Sequence, residues 1–157
     1  MADLTVTITE SVVLNNADQG GTHTLTVSGV DDVYKRIVTC TNDVDTTLAV
    51  FKVDDHTGDS AVDIENVNYI RVTNLDSANS VNISLQIDTG ADGADHQTTI
   101  LLNAGKSFMM GGADEHIATS DDGAALDTTL NDLESIIAHP TGSAAAQVEI
   151  FIASVVA

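Results

Sequence analysis

The chain opens on an alternating run, with Leu4, Val6 and Ile8 on one side and Thr5, Thr7 and Thr9 on the other. A period of two is the signature of a strand with one buried face. The polar stretch NNADQGG (15–21) interrupts it, and HTLTVSG (23–29) resumes it with Leu25 and Val27 expected inward. YKRIVTCT (34–41) and TTLAVFKV (46–53) follow, separated by NDVD, and their length and spacing predict an antiparallel hairpin. Residues 54–66 read as an acidic, glycine-containing surface loop.

YIRVTNLDSANSVNISLQI (69–87) is the most legible segment. Two β-rich runs flank the capping and turning residues NLDSANS, which predicts a second hairpin with Val81, Ile83, Leu85 and Ile87 lining one buried face. DTGADGAD (88–95) reads as a loop, and QTTILLNAGKSFMM (97–110) as two apolar pieces about a turn at Asn103 to Gly105. LNDLESIIAHP is ambiguous, because Leu130, Leu133 and Ile137 have helical spacing while LESIIAH also suits a strand. The strand reading is preferred, since the closing run AQVEIFIASVVA could pair with it across PTGS. Eight to ten short strands, one proline and no convincing long helix predict a single all-β domain over 1–157. An antiparallel, jelly-roll-like β-sandwich is the leading arrangement and an immunoglobulin-like sandwich the second.

Composition sharpens this picture. With three Phe, two Tyr and no Trp, the core must be built from Val, Ile, Leu and Ala. Twenty-four acids against five bases give a formal charge of −19. Such a surface is repelled by phosphate backbones and anionic membranes, so neither nucleic acid nor membrane is an expected partner. The start MADLTVTITE lacks a basic region and an apolar signal core, and no stretch nears 18 apolar residues, so synthesis in the cytoplasm without membrane insertion is expected.

Candidate chemistry is sparse. Cys40 is alone, in a strand-like run where a thiol acts as a small buried hydrophobe. There is no G-x-S-x-G elbow, H-E-x-x-H or phosphate-binding glycine loop. His23, His56, His96, His116 and His139 are scattered and read as surface residues. Asp88, Asp92 and Asp95, and again Asp54, Asp55 and Asp59, crowd carboxylates as calcium sites do, with Asp88, Asp92 and Asp95 the weak candidates for that ion. Neither loop has EF-hand order, and Asp-Gly pairs are ordinary turn residues, so no metal, cofactor or catalytic set is expected.

YIRVTNLDSANSVNISLQI, ILLNAGKSFMM and LESIIAHPTGSAAAQVEIFIASVV together resemble segments of small virion structural proteins of marine tailed phages. The likeness covers about the last 90 residues, and its motifs are structural rather than catalytic. The resemblance implies a non-enzymatic β-sandwich on the virion, foremost an outer-capsid decoration (cement) protein. Its partners would be the major capsid protein or another virion protein, and its own copies in a homotrimer. A tail, neck or fibre subunit is the alternative. A small carbohydrate-binding β-domain is disfavoured by the scarcity of aromatics. Packaged DNA would repel a chain of this charge, which favours the outer head surface, with acidic loops toward solvent and the few cations toward the particle. Lys35 and Arg36, adjacent in one strand, lead the contact candidates, with Arg71 and Lys106 behind them. Phe151 joins them because Phe151, Ala153 and Val155 oppose Val148, Ile150 and Ile152, so the last strand needs a second covering surface.

Overall fold

A computed structural model describes residues 1–52, 61–88, 96–119 and 128–156, whose regular structure is strand apart from one 3-10 turn at Ile64–Asn66. In chain order the strands are β1 (Ala2–Glu10), β2 (Val13–Leu14), β3 (Ala17–Asp18), β4 (Gly21–Val30), β5 (Asp32–Cys40), β6 (Thr46–Lys52) and β7 (Ala61–Asp63). They continue as β8 (Val67–Asn74), β9 (Val81–Asp88), β10 (His96–Leu102), β11 (Ser107–Met110), β12 (Asp132–Pro140) and β13 (Ala146–Ser154). Ten of the thirteen are four residues or longer, and the other three are only two or three residues long.

Two sheets form a sandwich. One runs β11-β8-β13-β5, wholly antiparallel, and the other runs β10-β9-β12-β6-β7 with β7 parallel to β6. Their facing sides bury Leu48, Phe51, Ile70, Val72, Ile83, Leu85, Ile136, Val148, Ile150 and Ile152. β-branched residues dominate this core because they pack well on a pleated surface. Cys40 is fully buried here, and that burial pushes its thiol pKa up.

Three of the expected strand pairings are not formed. β5 lies in the first sheet and β6 in the second, β8 in the first and β9 in the second, β12 in the second and β13 in the first. The short connectors are arches that carry the chain from one sheet to the other, not hairpin turns. All of them gather at one end of the sandwich, together with the β10–β11 turn, since Cys40 pairs with Ala146, Asn74 with Val148, and Val81 with both Leu102 and Pro140.

Asn74 shows why the NLDSANS connector arches. Its buried side chain donates to the carbonyls of Asn79 (2.8 Å) and Leu102 (3.0 Å) and accepts from the Asp76 N–H (3.0 Å). Its backbone N–H donates to the Lys106 carbonyl, and its own carbonyl accepts from Gly105. One residue therefore ties this arch to the β10–β11 turn and satisfies polar groups that a buried corner would otherwise orphan. Asp76 accepts from the Ala78 and Asn79 N–H groups, and these bonds lower its carboxyl pKa.

The ambiguous segment is strand, β12. A register shift between Leu133 and Ser135 inserts one extra residue against β9, so Leu133 and Ile136 both point into the core. The bulge sets that three-residue interval, whereas Leu130 is exposed and Ile137 half-buried, so the helical spacing of Leu130, Leu133 and Ile137 marks no common buried face.

β1 and β4 pair along their length as a ribbon outside the sandwich. Leu4, Val6 and Val27 pack on Tyr69, Phe151 and Ala153, so the chain's own ribbon supplies the second covering surface that β13 requires. Beyond Glu10 and Gly21 the ribbon passes into the small hairpin β2–β3, whose two turn residues, Asn15 and Asn16, both have positive φ. That pair matches the mirror-image turn favoured by the twist of two-residue hairpins. Among the described residues no helix is long and apolar enough to cross a membrane.

Candidate interaction surface

Alternation along β8, β11, β13 and β5 sends every second residue to the outer face of the first sheet. Register then aligns them in rows. Met109, Arg71, Phe151 and Lys35 form one row, and Ser107, Thr73, Glu149 and Ile37 form the next. Tyr69, Ala153 and Val33 form a third, and the ribbon lies over that end of the face.

The middle row carries charge. Glu149, diagonal to both cations, accepts from Arg71 Nη2 through Oε1 and meets Lys35 Nζ at 3.3 Å through Oε2. The Arg71 guanidinium stands 5.8 Å from the Phe151 ring centre, and Tyr69 meets that ring edge-on at 6.1 Å. Among the described residues Arg71 Nε has no acceptor. Two cations share one carboxylate here, so the row keeps a net positive charge on a strongly acidic protein. A groove of about 320 Å³ runs between this row and Leu4–Thr7 of the ribbon.

Lys35, Arg71 and Phe151 are therefore brought together, while Arg36 and Lys106 are not. Arg36 points to the opposite side of β5, donates to the Tyr34 hydroxyl at 3.0 Å and lies over its ring, and that hydrogen bond raises its pKa. Adjacency in a strand places neighbours on opposite faces, so the expected Lys35–Arg36 pair is split. Lys106 is exposed in the β10–β11 turn, with its backbone engaged by Asn74 and Asn103. Sequence reading missed Glu149, although its place two residues before Phe151 puts it on the same face.

The calcium candidates fare differently. Asp88 closes β9 and pairs in register with Asp132 on β12, whereas Asp92, Asp95, Asp54, Asp55 and Asp59 lie outside the described residues. Among the described residues no group of His, Cys, Asp and Glu is arranged to hold a metal ion. Carboxylates do crowd at Asp114, whose pKa is raised by partial loss of solvent and by Asp132, with Glu115 and Glu65 adding repulsion. His139 Nδ1 is 2.8 Å from Asp45, and His96 Nδ1 is 2.7 Å from the Thr119 hydroxyl.

The ribbon's far end is the second feature. Val12, Val13 (66% exposed) and Leu14 (59%) present apolar side chains on a tip that touches neither core cluster. Gly20 is needed at its base, because a Cβ there would sit 2.1 Å from the Glu10 carbonyl oxygen.

No family model, curated protein or solved structure matches the chain.

Proposed function

We propose that this chain is a non-enzymatic virion structural protein, foremost an outer-head decoration protein that stabilises the shell as a homotrimer. The observation that carries the reading is the contrast between a core closed by the chain itself and two surface features suited to contact. These are the cation-bearing outer row and the apolar ribbon tip. The quoted resemblance supports the same reading.

Strand order supports the jelly-roll form of the sandwich. The eight strands β5, β6 and β8 to β13 fill two antiparallel sheets as β5-β13-β8-β11 and β6-β12-β9-β10, and the four connectors at the arched end all cross between them. Two interlocked Greek keys wound this way occur in viral shell domains, though also in lectins and enzymes, so the fold alone does not assign the role. Charge favours the outside of the head, because −19 per chain is repelled by packaged nucleic acid.

Electron cryo-microscopy of the native particle tests the proposal. The expected result is this sandwich on the outer head surface, around threefold positions. Density in the tail or neck would select the alternative subunit, and absence from any particle would overturn the reading. Splitting the cations by face adds a test on attachment: Lys35→Glu weakens binding to the shell if the outer row makes the contact, and Arg36→Glu does so if the β5 edge makes it.

A further inference from the structure

The ribbon is built to reach beyond its own sandwich. Leu4 and Val6 seat it, but at Ile8 and Leu25 the same face is already 41% and 40% exposed, and the tip is bare. From Thr7, which lines the groove, β1 runs on only to Glu10, and the chain to Val13 reaches at most about 20 Å. The tip does not line the groove that Leu4–Thr7 flank in its own chain. Alternation divides the tip's aliphatic side chains between its two faces: Val13 shares one with Asp18, its partner in register, and Val12 and Leu14 take the other, so both faces are apolar and open to solvent.

Charge says where such a tip can land on a second copy. Two molecules of −19 repel, so a contact between them must set acids of one against the few bases of the other. Three of the five bases lie on β5 and β8, and Lys35 and Arg71 share the row beside the open groove, with Ile37 (57% exposed) in the next row. The tip carries the matching signs. Asp18 faces Val13 across the small hairpin, and Glu10 stands at its base. The outer face already accepts one β-ribbon through Tyr69, Phe151 and Ala153, so a second ribbon end would extend an existing layer.

We propose that the β2–β3 tip of one copy docks on the outer face of the next through the face that Val13 and Asp18 share, with Val13 against Ile37 and Asp18 toward Lys35 and Arg71. Repeated head to tail, the contact makes a ring where the rotation between copies closes, as a trimer requires. It rests on the self-association in the reading above and supplies its residues.

The test is mass against concentration, by sedimentation equilibrium of the whole chain. Wild type is expected to be a closed oligomer, and Val13→Asp with Leu14→Asp should weaken association roughly 100-fold. Its circular dichroism should not change, nor its melting at a dilution where wild type is also monomeric, since the tip packs on neither core cluster. Lys35→Glu should weaken association roughly 10-fold, and Asp18→Lys in the same chain should restore it. An oligomer indifferent to the tip substitutions would overturn the docking while leaving the trimeric reading in place. A wild-type chain that stays monomeric at about 100 μM would overturn both.

Discussion

β9 and β1 carry the same pattern and meet different fates. Val81, Ile83, Leu85 and Ile87 of β9 are all buried, whereas in β1 burial is only partial at Leu4 and Val6 and fades by Ile8. Both strands alternate without a break. Alternation reports that a strand has two faces; the depth of burial is set by what lies opposite. β9 sits in the interior of a five-stranded sheet with a second sheet across from it, while the ribbon has only one neighbouring layer and outruns it. The difference separates a scaffold, whose apolar face is consumed in folding, from an arm whose apolar end remains available.

Truncating the scaffold should have the largest effect. Ile83→Ala should cost about 2–5 kcal/mol by transfer loss plus cavity, read from urea unfolding, while Ile8→Ala in the ribbon should cost under about 1 kcal/mol. Equal losses would abolish the distinction. Asn74→Ala comes next, at about 2–3 kcal/mol, because it strands the Asn79 and Leu102 carbonyls and the Asp76 N–H in a corner with little water. A loss below about 0.5 kcal/mol would show that the arch does not depend on this side chain.

Gly20→Ala should act on the arm alone. The methyl group collides with the Glu10 carbonyl, so amide exchange through 11–20 should quicken in the assembled protein while the sandwich midpoint stays nearly fixed. Loss of the global transition would show that ribbon and sandwich fold as one unit.

The smallest expected effect is that of pH. The raised Asp114 pKa makes its charged form unfavourable in the folded state, so stability should rise as pH falls from neutral through that pKa toward the ordinary 3.8. The lowered Asp76 pKa acts in the opposite sense. Its contribution is present above 3.8 and is lost as pH falls through its folded value. Melting temperature should therefore peak in mild acid, and Asp114→Asn should flatten the limb between the peak and neutrality. A neutral optimum unchanged by that substitution would contradict the assignment.

The strands were legible because period two survives in nearly all of them, and the ambiguous segment is a strand that buries Leu133 and Ile136 on either side of a bulge at Glu134 while Leu130 stays exposed. Pairing was not legible. NDVD, NLDSANS and PTGS have hairpin composition, and the NLDSANS arch is fixed by a partner beyond the next strand, as Leu102 is to Asn74. The contact face was half legible. Lys35, Arg71 and Phe151 needed strand register to become one row, and register is set by pairing. The tip was hidden because Val12 to Leu14 precede a turn and look like the end of a strand rather than a surface in their own right.

Amide hydrogen exchange on the whole chain, at one concentration that assembles it and one that does not, tests the division between scaffold and arm most directly. The account predicts slow exchange through β9 at both concentrations, and fast exchange at residues 11–20 that becomes slow only on assembly. Protection of the tip at high dilution, or a tip that still exchanges freely in the assembled protein, would contradict it.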